Sequence, residues 1–288
     1  MKRKLFCEIS PLTYEISMFK CRTLRRIKDL FSAQRYALSK SGEKLPCLVA
    51  CHSSLIRRVL GDVDMTLQEN KAVNLSLAAP KVSGVVINPG ETFSFWKLVG
   101  NPKASGGFKQ GLIISNSKTD AGVGGGMCQF TNLIHWMVLH SPLEIVEHHH
   151  HDGFDLFPDF DRRIPFGTGT SIAYNYLDYR VKNTTDKPFQ LIVYVTDNHL
   201  CGELRSTAEP EVEYDISAEG EHFVREGTEV YRKGSVYRTC RRKSDKKVLW
   251  RRLIRENHAK VMYDTENLEL CDICSDMVLT LCEKDVIL

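Results

Sequence analysis

Residues 122–126 read Gly-Val-Gly-Gly-Gly, and immediately after them residues 128–140 carry apolar side chains at helical spacing. This junction constrains the fold more than any other stretch of the chain. A run so rich in glycine does not continue a strand or a helix; it makes a tight turn in which backbone can approach backbone closely. The helix after it has Phe130, Leu133, Ile134, Met137 and Val138 at i, i+3, i+4, i+7 and i+8. That stripe must be buried against a second layer. Pro142 closes the helix. The second layer is predicted from short runs rich in branched and aromatic residues: 85–87, 92–96 after the turn Asn88-Pro89-Gly90-Glu91, 112–114, 143–147, 171–181 and 189–195.

Upstream, the spacing predicts a helix over 15–39, a short one over 53–60 ending at Gly61, and a longer one over 66–79. Thr66 and Glu69 fit a capping box, and Pro80 ends that helix. In the first helix Ile16, Phe19, Leu24, Ile27, Leu30 and Phe31 form the apolar side, while Lys20, Arg22, Arg25, Arg26 and Lys28 form the other. We read the basic side as the solvated outer face of a packed helix; such helices also lie on anionic lipid. Beyond Pro210 the chain reads as hairpins dense in Arg and Lys. The fold class is α+β: an N-terminal helical region (1–64), a mixed central domain (65–207) with its helix against an antiparallel-rich sheet, and a β-rich C-terminal appendage (208–288).

Composition excludes several classes. With 42% hydrophobic and 26% charged residues and a net charge of +3, the chain is neither disordered nor fibrous, and its charge alone selects no partner. No stretch approaches the roughly 18–20 apolar residues of a membrane span. Glu8 interrupts the basic start before any apolar run, so no secretory signal is expected. The expected location is the cytoplasm, with the ten cysteines as thiols.

Cys128 lies off the apolar stripe, on the side of Asn132 and His135. It sits in the first helical turn, where unpaired N–H groups and the helix dipole favour a thiolate. The run His148-His149-His150-His151 follows a predicted strand, and Asp178 lies on a later one. Cysteine opening a helix, then histidine, then an acid on strands is the order used by several unrelated thiol hydrolases and acyltransferases. In that reading Cys128 attacks, His151 (with His149 as alternate) takes the proton, Asp178 orients the imidazole, and the backbone around Gln129 holds the oxyanion. Three bland readings stand beside it. A lone cysteine is most often a buried structural residue. A glycine loop before a helix often binds an anion without chemistry. A histidine run also occurs as a metal tract or an exposed loop.

The chain resembles the VanW family at these residues. The resemblance is carried by the segments 88–95 (Asn-Pro-Gly-Glu-Thr-Phe-Ser-Phe), 124–129 (Gly-Gly-Gly-Met-Cys-Gln), 145–147 with the histidines after it, and 176–180 (Tyr-Leu-Asp-Tyr-Arg). It covers roughly residues 72–205. It implies an association with B-type vancomycin-resistance clusters and cell-wall stress in bacteria, and supplies no catalytic assignment. Family members often carry Asp-Ala-Thr before the Leu-Asp step; here Gly169-Thr170-Ser171 stands there, which leaves Asp178 as the candidate acid.

Two functions follow as expectations. One is a thiol-dependent acyl-transfer or amide-hydrolysing enzyme acting on a peptide or cell-wall precursor. The other is a non-catalytic accessory that binds an anionic precursor or partner through the loop 124–129, with Gly124, Gly125, Gly126, Arg180 and Glu147 as ligand contacts. Neither requires a cofactor or a metal. Cys271 and Cys274 form one C-x-x-C, half of a usual zinc set, and read as incidental. The basic hairpins are interleaved with Glu226, Glu229, Asp245 and Glu256, so no nucleic-acid partner is expected.

Overall fold

The computed structural model describes residues 5–57, 64–115, 118–151, 153–159 and 164–271. In chain order the elements are α1 (Pro11–Phe31), β1 (Arg35–Tyr36), β2 (Cys47–Leu55), α2 (Met65–Val82), β3 (Val85–Ile87), β4 (Glu91–Ser94), α3 (Phe95–Val99), β5 (Gln110–Ser115), β6 (Lys118–Val123), α4 (Met127–Leu139), β7 (Glu144–Glu147), β8 (Phe154–Asp155), β9 (Arg180–Lys182), β10 (Phe189–Val195), β11 (His199–Ser206), β12 (Val212–Glu226), β13 (Glu229–Arg242) and β14 (Val248–Val261). The class is α+β, as the periodicities predict.

The core is an antiparallel sheet in the order β2-β11-β10-β3. Its inward side chains alternate along β10 and β11: Phe189, Leu191 and Val193, then Leu200 and Leu204. α4 lies on β2 and β11, and α2 lies on β10. The predicted stripe Phe130, Leu133, Ile134, Met137 and Val138 is wholly buried in this seam, each side chain contributing roughly 1.5–3 kcal/mol. A second sheet, β1-β4-β9-β7, carries Phe93 and Val181 into the same core. The C-terminal hairpins form a third, β12-β13-β14-β8.

Several local expectations change. Residues 53–55 belong to a strand, not a helix: β2 pairs along its length with β11, a tertiary partner more than a hundred residues away. The N-terminal region therefore contributes an edge strand to the core sheet. Residues 171–179 are irregular and the strand starts only at Arg180, because Asn175 turns the chain at φ 48°. α2 is capped by Asp64, whose carboxylate accepts from the Thr66 N–H at 2.8 Å, while Glu69 is engaged by Arg57. Pro80 sits inside its last turn, and the helix ends at Ser83, whose N–H donates to the Ala79 carbonyl at 2.8 Å.

The largest reversal is in α1. The helix starts at a Ser10–Thr13 capping box and ends at Phe31, short of the predicted 39. It docks through its polar side: Arg22 Nε donates to the Tyr174 carbonyl at 3.3 Å, Arg25 Nη1 to Glu147 at 2.7 Å, and Asp29 takes a paired contact from Arg180. The apolar side faces outward, and no residue of the helix is buried.

Candidate functional site

The turn before α4 is built by close packing. A Cβ on Gly125 would lie 2.2 Å from the Gly111 carbonyl carbon, and one on Gly126, at φ 104°, would lie 2.4 Å from Lys71 Cγ. Gly124 rests on Pro102. Fully buried Asn74 clamps the turn to β5: its Nδ2 donates to the carbonyls of Lys109 and Gly125, both at 2.9 Å, and its Oδ1 accepts from the Lys109 N–H at 2.8 Å. The glycines thus seal the turn against α2 and β5 rather than leaving an open cradle for an anion.

Cys128 sits half-buried in the first turn of α4. Burial pushes its thiol up, and the N–H groups of Ile172 and of Cys128 itself pull part of the way back. The direction is opposite to the depressed thiol expected at a helix start. The segment 168–172 roofs this end of the helix. Asn132 Oδ1 accepts from the Thr170 N–H at 2.6 Å and its hydroxyl at 2.8 Å, and the hydroxyls of Thr131 and Thr170 meet. Gln129 points elsewhere: its Nε2 donates to Ser54 Oγ at 2.8 Å and to the Leu55 carbonyl at 2.9 Å on β2.

The imidazoles gather farther along. His135, seven residues and roughly 10 Å along α4 from Cys128, is buried with Nδ1 3.0 Å from the Tyr179 hydroxyl. The His148 ring lies 4.1 Å from it, and the His150 ring 4.0 Å from His148. Burial holds His148 down to about 3, helped by its histidine neighbours, and holds His135 well below its ordinary range for the same reason. Both are neutral at pH 7. Among the described residues no hydrogen bond joins Cys128 to a histidine.

Asp178 and Tyr179 point to opposite sides of the chain. The Asp178 carboxylate accepts from Ser94 Oγ at 2.5 Å, the N–H groups of Trp96 and Tyr179 at 3.1 and 2.9 Å, and Arg180 Nε at 2.8 Å. Its acceptor sites are filled away from the imidazoles, and it is Tyr179 that reaches them. Arg180 in turn is spent on Asp29, Asp178 and the Tyr36 hydroxyl. Within the histidine run, His149 pairs with the Glu147 carboxylate at 3.0 Å. Burial works against the Glu147 charge, but Arg25, the Asp178 N–H and His149 hold its carboxyl below the usual range.

His151 lines a cavity of about 150 Å³ together with His150, Arg255, Asn257 and His258, closed on its apolar side by Phe154, Phe157 and Phe166. Arg255, Asn257 and His258 come from β14, more than a hundred residues beyond the histidine run, and sequence order gave no signal for them. Among the described residues no three His, Cys, Asp or Glu side chains are placed to share a metal ion. The Cys271 N–H donates to the Phe223 carbonyl at 2.8 Å, and Cys274 and Cys282 lie outside the described residues.

Residues 70–205, which contain the sealed turn, α4, the histidine run and Arg180, match the family model described as VanW like protein. The chain is 34% identical over 200 residues to the vancomycin B-type resistance protein VanW of Enterococcus faecalis, covering 69% of this chain and 72% of that protein. It is 29% identical over 123 residues to the uncharacterized protein YoaR of Bacillus subtilis, covering 42% of this chain and 38% of that one. No solved structure matches. Since a relative 34% identical is matched over more than two thirds of both chains, and the family model matches the core itself, the chain belongs to the VanW-like family.

Proposed function

We propose that this chain serves glycopeptide resistance or the response to cell-wall stress by binding the anionic end of a peptide or cell-wall precursor in the cavity beside the histidine run. One observation carries the reading: Arg255, Asn257, His150 and His151 line a space flanked by three phenylalanines, and the Asp155 carboxylate beside it is engaged by Arg232 and the Tyr263 hydroxyl. A guanidinium with imidazole and amide neighbours suits a carboxylate. A volume of about 150 Å³ suits a terminal carboxylate and one small side chain, below the roughly 300 Å³ of a typical small-molecule pocket. The reading sets the protein on the cytoplasmic side, among wall precursors rather than finished peptidoglycan. Calorimetric titration with a stem peptide bearing a free C-terminal carboxylate tests it. Arg255→Gln is expected to weaken binding roughly 10–100-fold, the range of a charged hydrogen bond, and to lower resistance in a responsive assay. Cys128→Ser is expected to leave both intact. Binding that ignores Arg255→Gln would sink the proposal.

Thiol catalysis is the second reading, and one observation favours it: Cys128 lies in the first turn of α4, where unpaired N–H groups and the helix dipole favour a negative charge. Its proton acceptor would have to come from the neutral histidines, because Asp178 is committed to Arg180 and Ser94. Loss of resistance in Cys128→Ser with unchanged peptide affinity would favour this reading over the first.

A further inference from the structure

An amphipathic helix normally buries its apolar side; α1 does the reverse. Its links to the body are polar: Arg22 to the Tyr174 carbonyl, Asn175 Nδ2 to the Arg22 carbonyl at 3.3 Å, Arg25 to Glu147 and to the Tyr176 carbonyl at 2.9 Å, and Asp29 to Arg180 and Lys97. The opposite side presents Leu12, Ile16, Phe19, Ile27 and Leu30 at i, i+4, i+7, i+15 and i+18, one row by helical geometry with Thr23 at its middle. Leu12, Phe19, Leu30 and the neighbouring Phe31 are 70%, 71%, 78% and 83% exposed. Leu5, Phe6 and Ile9 extend the apolar surface ahead of the helix. A patch of this kind marks a surface that another phase or molecule covers.

The rim decides what covers it. Lys20 and Lys28 flank the row on one side and Arg26 on the other, all exposed, with exposed Glu15 as the acid beside Arg26. The helix holds five basic and two acidic residues, a surplus equal to that of the whole chain, +3. The rest of the molecule is therefore balanced; Arg22, Arg25 and Asp29 face the body, and Lys20, Arg26 and Lys28 against Glu15 leave a local charge of +2 around the apolar row. We propose that α1 is a membrane-surface anchor: it lies flat on an anionic lipid surface, with the row in the acyl boundary and Lys20, Arg26 and Lys28 among the headgroups. A second copy meeting through the same face would bring like-charged rims together. The helix does not cross the bilayer, since no helix among the described residues is long and apolar enough. Its polar bonds to the body hold it already folded, so docking does not carry the ordering cost of a disordered segment.

The test is co-sedimentation of the full chain with vesicles of phosphatidylcholine alone and with added phosphatidylglycerol. Binding is expected only with phosphatidylglycerol, and to weaken as salt rises. Phe19→Ser with Leu30→Ser is expected to abolish it, and Lys20→Glu with Lys28→Glu to weaken it at least about fivefold per basic residue lost. All four side chains point away from the body, so melting curves of the variants should match the parent; if the serine pair melts early, the glutamate pair decides. No binding to anionic vesicles, or binding that survives both pairs, overturns the proposal. So does a concentration-dependent dimer, seen by sedimentation velocity without vesicle binding, that the serine pair breaks; that result assigns the face to a second copy.

Discussion

Cys128 shows how a single residue's chemistry is set by what lies over it. A helix start and a glycine turn both favour a thiolate, yet the segment 168–172 closes over the first turn and desolvates the sulfur, and burial is the larger effect. The expected outcome is that iodoacetamide labels Cys128 with a pH midpoint above the roughly 8.5 of an ordinary thiol, and that His151→Ala leaves this midpoint unchanged. Peptide mass spectrometry resolves Cys128 from the other cysteines. Selective labelling of Cys128 at pH 6 would show that the site opens in solution and would return thiol catalysis to first place. The same scale explains why Asp178 does not serve the imidazoles: neighbouring side chains point to opposite sides of an extended chain. Position 178 goes to Arg180 and position 179 to His135.

At the scale of elements, α4 is anchored at both ends. Its N-terminus is held by the Asn74 clamp on the glycine turn. Its C-terminus is held by Arg238 of β13, whose Nε donates to the Leu139 carbonyl at 2.8 Å and whose Nη2 reaches the Ser141 carbonyl. A cation here satisfies carbonyls that the helix leaves unpaired and complements the dipole. The guanidinium also lies over the rings of Tyr214 and Trp250, at 4.3 and 5.6 Å from their centroids. Arg238 is thus one point where the C-terminal sheet grips the core, unlike the exposed Arg251 and Arg252 of β14. Arg238→Ala is expected to cost roughly 1.5–3 kcal/mol, read as a lower urea midpoint together with faster amide exchange in β13 and β14. An unchanged midpoint would mean that other contacts dock the sheet.

For the whole molecule, the buried histidines set how stability depends on pH. His148 has an ordinary value of 6.5 and is held at about 3 in the fold. Below pH 6.5 the unfolded chain takes up a proton that the folded protein refuses, so stability is fully present above 6.5 and falls as pH drops toward 3. His135 acts in the same direction. His148 contributes up to about 1.4 kcal/mol per pH unit in that window. Glu147 and Asp29, whose carboxyls are held below their usual range, lose their contribution only as pH falls below about 4. Chemical denaturation between pH 7 and 4.5 therefore isolates the histidines. His148→Gln is expected to flatten the slope there, and a slope equal to the parent's would locate the titration elsewhere.

The local elements were legible where one segment carries its own pattern. The stripe of α4, the strand 189–195 and the turn at Pro89 follow from spacing and turn chemistry alone. So does the VanW-like identity of the core, carried by contiguous segments. Tertiary structure decided what depends on partners distant in sequence. β2 is a strand because β11 pairs with it, although its local pattern at 53–55 allows a helix. The glycine turn is sealed because Gly111 and Lys71 meet it. The sign of the Cys128 shift depends on the roof at 168–172. Most tellingly, the periodicity of α1 correctly gave two faces but not which of them is buried: an amphipathic row states only that its sides differ. The choice was made by Glu147, Arg180 and the carbonyls of Tyr174 and Tyr176, which offered partners to the polar side and left the apolar one outside.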